Sequence, residues 1–252
     1  MGAGPRMVLA VIPVAICLLG AAEGARSAPW SRVMRDWLTM GLILAAYWSV
    51  GWFVAPPHAD WQERWLLWDR VLLDKWALRA AVESAGLLVP SLLETAYLLL
   101  YAGPPVCICL LYSLGGRGRL HTFLFTLLAG TLAAYALLPL FPVHGPHIVY
   151  PALDLPSVQG FGRGINLWVL DHMDIPTSVF PSGHVAVAFS AAFGMYEAAK
   201  ERPLFWGGMF LFATLVYAAT IYCRYHYAVD GLASILLVSL VSFAVRRGRQ
   251  HA

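Results

Sequence analysis

Charge is scarce in this chain. Of its 252 residues, 12% are Asp, Glu, Lys or Arg and 60% are hydrophobic, whereas soluble domains carry about 25% charged and about 45–50% apolar residues. With a mean hydropathy of +0.66, the chain has too few charges to cover a water-facing surface, so most of that surface must face lipid. An ordinary soluble enzyme is excluded. The formal net charge of +3 gives no reason to expect a nucleic-acid partner. Cysteine is scarce too. Cys17, Cys107, Cys109 and Cys223 all lie in or beside apolar stretches, and Cys107-x-Cys109 points its side chains to different faces of a helix, which suits neither zinc nor a disulfide. They read as small apolar membrane residues, and the redox compartment is not legible from them. Internal repeats and low-complexity tracts are also missing, so the chain is one domain of several membrane spans.

What is present is a series of long apolar runs. About 20 apolar residues at helical rise cross the hydrocarbon core, and six runs qualify: Trp37–Ala55, Leu88–Leu114, Leu120–Phe141, His184–Ala199, Leu204–Tyr222 and Val229–Val245. The second carries Pro104-Pro105, where a kink or break is expected. A shorter run, Val8–Ala22, is either an extra N-terminal span, a surface helix or the core of a signal peptide. The fold expected is therefore all-α, a polytopic membrane bundle of six core transmembrane helices with a possible extra N-terminal apolar helix. Its parts are an apolar segment and basic linker at 1–34, the membrane domain at 35–246 and a basic cytoplasmic tail at 247–252.

Lys and Arg favour the cytoplasmic side of a membrane. If the stretch before Trp37 is cytoplasmic, that side holds Arg26, Arg32, Arg35, Arg117, Arg119, Lys200, Arg202, Arg246, Arg247 and Arg249. The other side holds Arg64, Arg70, Lys75, Arg79, Arg163 and Arg224, spread over longer loops. This orientation also argues against a cleaved signal peptide, which would put Arg26–Arg35 outside. In the first outer loop Trp61, Trp65, Trp68, Leu72 and Trp76 share one helical face, the pattern of a helix lying in the membrane interface. The second outer loop, Pro142–Pro181, is rich in Pro and Gly and leads into the first chemical motif.

That motif is Phe180-Pro181-Ser182-Gly183-His184, at the mouth of an apolar helix. Pro, Ser and Gly suit a helix entrance, and the free N–H groups and dipole of a helix start form an anion site. Ser182 adds a hydroxyl, Gly183 lets a phosphate approach the backbone and His184 carries a proton. The second motif is Cys223-Arg224-Tyr225-His226-Tyr227-Ala228-Val229-Asp230. His226 and Asp230, four apart, share a helical face, and a carboxylate on one ring nitrogen makes the other a better nucleophile or base. Arg224 can hold phosphate oxygens in a fork. By the assigned topology both motifs meet the same, non-cytoplasmic, membrane face, and ionisable groups at membrane depth are costly without a function.

Pro-Ser-Gly-His followed at a distance by Arg-x-His-x-x-x-Asp resembles the type 2 phosphatidic acid phosphatase superfamily. The order from Arg35-Asp36-Trp37 through Leu93-Glu94-Thr95-Ala96-Tyr97 to Tyr225–Asp230 is most similar to its inositol phosphorylceramide synthase-like branch, over roughly residues 35–245. The resemblance implies a six-helix bundle with the site at one membrane face, no metal and no other cofactor. It also implies that His226 attacks phosphorus to give a phosphohistidine, Asp230 orients it, and His184 protonates the leaving oxygen and then activates the acceptor. Ser182, Gly183 and Arg224 would hold phosphate oxygens. The implied partners are the bilayer, a phospholipid or polyprenyl phosphate substrate and, for a transferase, a lipid alcohol acceptor.

Two departures separate the chain from the phosphatase branch. The upstream Lys and Arg-Pro motif is missing, and Thr220 stands where the third motif places an arginine six residues before the histidine. In Pro142-Val143-His144-Gly145-Pro146-His147, His147, and after it His144, is a candidate for replacing a basic phosphate contact. Glu94 lies inside a span, either bonding Tyr or backbone groups or lining a cavity. Two other readings compete: a metal or haem protein using His144-x-x-His147 with His184 and His226, and a non-catalytic transporter. Gly145-Pro146 breaks the helix the first requires.

Overall fold

The computed structural model describes residues 29–115, 117–150, 154–175 and 179–250, and among them every regular element is helical. In chain order α1 is Pro29–Val50, α2 Ala59–Arg70, α3 Leu78–Glu83, α4 Leu88–Leu98, α5 Gly103–Leu114 and α6 Arg117–Leu137. Then come α7 Pro146–Val149, α8 Arg163–Met173, α9 Gly183–Ala198, α10 Pro203–Tyr222 and α11 Ala228–Gln250. The apolar run at 8–22 lies outside the described residues.

Among the described residues four helical stretches are long and apolar enough to cross a membrane: Leu88–Leu114, Gly118–Leu140, Pro203–Tyr222 and Ala228–Arg249. Two of the six expected spans fall short of that measure. α9 has only 16 residues, against the roughly 20 a span needs, and α1 carries Arg32, Arg35 and Asp36 in its first turns. The break expected at Pro104-Pro105 falls one turn earlier. The helix tightens into a 3-10 turn at Leu99–Ala102 and resumes at Gly103 with proline in its first turn. Proline offers no N–H and its ring crowds the preceding turn, so the distortion sits on its N-terminal side.

α9 is the hub, packed on α6, α10, α11 and α5. Its inner residues are mostly small, with Ala186, Ala188, Ala191, Ala192 and Gly194 all buried, which lets backbones approach closely without an aqueous hydrophobic drive. A Cβ on Gly194 would lie 3.0 Å from the Phe123 ring and from its carbonyl oxygen, and one on Gly130 would run into Ser190. α11 shows the polarity of a membrane helix. Asp230, Ser234, Val238 and Ser242 face inward, while Leu232, Leu236, Leu240 and Phe243 are exposed. A water-soluble helix would place the leucines inside and the serines outside.

The tryptophan stripe is divided. Trp61 and Trp65 turn inward and pack on Phe141, Phe180 and Tyr227, whereas Trp68 and Trp76 are exposed. A π-helical turn at Val71–Lys75 follows α2 and shifts the helical phase, so a single continuous face is not maintained. α2 therefore lies over the loops that carry the two motifs, with its buried Gln62 and Asp69 pointing into them. The second outer loop is likewise partly helical, containing α7 and α8.

Candidate active site

The first motif forms the start of α9. Ser182 is its N-cap, the hydroxyl accepting from the Val185 N–H at 3.3 Å. The Ser182 N–H donates to the Asp230 carbonyl at 3.1 Å, and the Ser182 carbonyl accepts from the Ser234 hydroxyl at 2.8 Å. The two motifs are thus joined through backbone. Ser182 is fully buried, so its hydroxyl works first as a cap. Gly183 admits no larger residue without a shift, since a Cβ there would lie 3.1 Å from the Tyr135 ring.

The second motif is a tight connection between α10 and α11. The Thr220 carbonyl accepts from both Tyr225 N and His226 N at 3.0 Å. Asp230 caps the start of α11, Oδ2 accepting from Tyr227 N at 3.0 Å, and Asp69 of α2 accepts from Ala228 N at 2.9 Å. Arg224 sits at φ 67°, a left-handed conformation that non-glycine residues rarely adopt, held there by its side chain. Its Nη1 donates to Asp69 at 2.7 Å and its Nε to Asp154 at 2.6 Å. The Arg224 side chain is 0% exposed, and Nη2 is buried without a partner among the described residues.

These constraints bring the histidines together. His184 Nδ1 lies 3.1 Å from His226 Nε2. On the far side of each ring is another polar group: the Tyr101 hydroxyl is 3.2 Å from His184 Nε2, and Asp230 Oδ2 is 3.4 Å from His226 Nδ1. The last distance is longer than a strong hydrogen bond. Burial pushes His226 down to about 4, with the Val179 carbonyl pulling the other way, so the ring is neutral and keeps a free electron pair at neutral pH. His147 joins this group. Its backbone N–H donates to the Arg224 carbonyl at 3.1 Å, and burial, reinforced by repulsion from His226, lowers its ring to about 4. Its Nδ1 is buried without a partner among the described residues. His144 is held by its own backbone N–H on the Gln62 side chain at 2.7 Å.

Behind the histidines a buried carboxylate organises a second polar cluster. Glu94 accepts from the Tyr225 hydroxyl at 2.6 Å, Asn166 Nδ2 at 2.7 Å and Arg163 Nη1 at 3.2 Å. Arg163 also donates to the Cys223 carbonyl at 3.1 Å and lies over the Tyr225 ring. Glu94 therefore bonds tyrosine, arginine and asparagine side chains rather than lining a cavity. Among the described residues, no three His, Cys, Asp or Glu side chains are arranged to hold a metal ion.

Beside His184 opens a cavity of about 380 Å³. Met40, Leu44 and Trp48 of α1 line it on successive turns, facing Pro105, Trp168 and Val187. Its walls are nearly all apolar, with the His184 imidazole and the Asp174 carboxyl among the few polar groups in them. Asp174 Oδ1 accepts from Ile175 N at 3.0 Å, and burial raises its carboxyl to about 7.

His184, His226, Asp230, Gly183 and His147 thus converge, with Ser182 as the cap beneath them and Arg224 behind the loop in a double ion pair. Asp69, Asp154, Arg163 and Tyr101 were not singled out from the sequence. The isolated Arg163 in the glycine-rich run Gly160–Gly164 was the one available signal. A family model described as the PAP2 superfamily matches residues 63–245, well over half of the chain. No curated protein and no solved structure matches.

Proposed function

Since the chain belongs to the PAP2 superfamily, we propose that it transfers phosphoryl groups of lipid phosphate esters through a phosphohistidine at His226. Superfamily membership supports phosphatase- or phosphotransferase-type chemistry. The observation that carries the lipid reading is the placement of His184, paired with His226, in the wall of an apolar cavity. A lipid chain lying along α1 would bring its phosphate to the start of α9, where free N–H groups and the helix dipole favour an anion.

In the first step His226 Nε2 bonds to phosphorus and the ester oxygen leaves, taking a proton from His184. In the second step His184 takes a proton from the acceptor hydroxyl as that oxygen attacks phosphorus and the N–P bond breaks. Asp230 holds the His226 ring. In-line transfer places phosphorus about 3 Å from the nucleophile and the leaving oxygen about 2.8 Å from the acid, on opposite sides. The two nitrogens then stand roughly 6 Å apart or more, against 3.1 Å here. The pair is therefore closed at rest, and the phosphate must part it.

Arg224 has two nitrogens on carboxylates and only Nη2 open to a phosphate oxygen. Protonation of His184 as the anion enters, and of His147 beside it, supplies the remaining positive charge, while His226 stays neutral as the nucleophile. We place the site on the non-cytoplasmic face and assign α1 and α9 as the fifth and sixth spans, α9 being sheltered from lipid by its neighbours. The acceptor assigned is a lipid alcohol, as in the inositol phosphorylceramide synthase-like branch. The apolar cavity beside His184 favours it, and the departures in the first and third motifs point away from the phosphatase branch.

The test incubates detergent-purified wild type and His226→Ala with labelled phosphatidic acid, polyprenyl diphosphate and phosphatidylinositol. Ceramide and diacylglycerol are offered as acceptors, with EDTA throughout. The expected result is label in a new lipid, absent with His226→Ala. Free phosphate as the product would make the enzyme a hydrolase, and equal turnover by both proteins would sink the histidine mechanism.

A further inference from the structure

Tyr101 is the polar side chain that touches the histidine pair from the cavity side. It lies in the 3-10 turn Leu99–Ala102, which interrupts the span just before Gly103-Pro104-Pro105. The residue is 46% exposed and lines the cavity, yet its hydroxyl is 3.2 Å from His184 Nε2. In a regular α-helix through Ala102 the ring would leave at a different angle. The distortion forced by the prolines thus places a hydroxyl where the apolar wall meets the histidines.

The direction of each hydrogen bond follows from what His226 must do. A nucleophile needs the electron pair on Nε2, so in the contact with His184 the hydrogen must sit on His184 Nδ1. A neutral imidazole carries one N–H, and the other nitrogen accepts. His184 Nε2 is therefore bare in the resting state, and the Tyr101 O–H donates to it. The opposite polarity would leave His226 Nε2–H donating to His184 and remove the nucleophile.

Resting on the phosphohistidine reading above, we infer that Tyr101 is the positioning residue that dedicates Nδ1 of His184 to proton transfer. A phenol both donates and accepts. Toward the neutral ring it donates; when His184 takes a proton from solvent as the anionic phosphate enters, the new Nε2–H donates to the Tyr101 oxygen instead. The imidazolium then gives its Nδ1 proton to the leaving ester oxygen as the P–O bond breaks and the P–N bond to His226 forms. His184 is left neutral with Nε2–H still on Tyr101 and Nδ1 bare. Nδ1 next accepts the proton of the attacking hydroxyl as the P–N bond breaks. One nitrogen thus serves as acid and then as base, and the ring does not flip between the half-reactions.

The experiment compares wild type, Tyr101→Phe, His184→Ala and the double variant on two substrates. One is the alkyl phosphate turned over best in the panel above. The other is 4-nitrophenyl phosphate, whose leaving group departs without a proton. Losing a hydrogen bond that holds the acid should lower kcat on the alkyl ester about tenfold in Tyr101→Phe. On the aryl ester the first half-reaction, read as the pre-steady-state burst of 4-nitrophenolate, should be affected less than about twofold, and KM for the alkyl ester should stay within that range. His184→Ala should show the same substrate bias at larger amplitude, and the double variant should be no slower than His184→Ala alone, because Tyr101 acts only through that ring. Equal losses in alkyl-ester turnover and in the aryl burst would make Tyr101 a packing residue and overturn the inference. So would losses that multiply in the double variant, or no loss at all. Full activity in His226→Ala would instead overturn the phosphohistidine reading on which it rests.

Discussion

In Asp69→Ala two buried donors lose their acceptor. Asp69 Oδ2 takes the Arg224 Nη1 bond at 2.7 Å, and Oδ1 takes the Ala228 N–H at 2.9 Å, both from a side chain 1% exposed. The first bond is charge-assisted, worth about 1.5–3 kcal/mol, and the second leaves an amide unsatisfied at about 1–3 kcal/mol. Asp154 still holds Nε at 2.6 Å, so the arginine keeps one counter-charge. The total expected is about 3–5 kcal/mol. At about 2–4 °C per kcal/mol for a chain of this size, the unfolding temperature should fall by roughly 10 °C or more. Asp69→Asn keeps an oxygen for Ala228 and loses the charge, so it should fall by roughly half as much.

The assay is thermal unfolding in detergent followed by tryptophan fluorescence, with turnover measured well below the transition. Because Arg224 and Ala228 bracket His226, both variants should also lose turnover while still folded. An Asp69→Ala protein that melts within about 1 °C of wild type and turns over normally would refute the claim that α2 holds this loop.

Burial keeps His226 at about 4 against an ordinary 6.5, so its protonation should not limit kcat/KM until the pH approaches 4. A diester substrate such as phosphatidylinositol avoids the substrate's own ionisation near pH 6; an acid limb that midpoints at 6.5 and is traced to His226 would contradict the burial argument. The same shift has a stability sign. The folded pKa is below the unfolded one, so the unfolded chain binds protons first, and stability should decline as the pH falls from about 6.5 toward 4. Leu44→Trp, placed in the cavity wall, should raise KM for long-chain lipid phosphates several-fold and spare short-chain ones; equal effects on both would argue that the chain lies elsewhere. Gly194→Ala puts a Cβ 3.0 Å from the Phe123 ring and carbonyl, and should lower stability by about 1–3 kcal/mol through overpacking, read as an earlier melting transition.

The chemistry was legible because its signals are local. Pro-Ser-Gly-His writes a helix entrance and a proton carrier in four consecutive residues, and His226 and Asp230 are only four residues apart, meeting at 3.4 Å although His226 lies in the connection before α11 and not in the helix. The apolar runs were legible for the same reason, with boundaries within a few residues at α6, α9 and α10. What surrounds the histidines is not local. Arg224 meets Asp69 across 155 residues and Asp154 across 70, and Tyr101 meets His184 across 83. No periodicity encodes such pairings. The tryptophans of α2 show a related limit, since an aromatic face has the same spacing whether it turns to lipid or onto another loop.

Arg224 shows why the electrostatics of the site is the harder half to read. In the sequence it is a cation two residues from the nucleophile, and a phosphate contact is the natural role. In the structure two carboxylates reach it first, one of them, Asp154, shared with Arg79 at 3.1 Å, so its charge is already neutralised before any substrate arrives. An anionic phosphate is then held chiefly by the start of α9 and by His184 and His147, which become charged as it enters. That arrangement couples binding to proton uptake. The proton His184 needs for its first step is taken up with the substrate, and the closed 3.1 Å pair opens when both rings have something better to bond than each other.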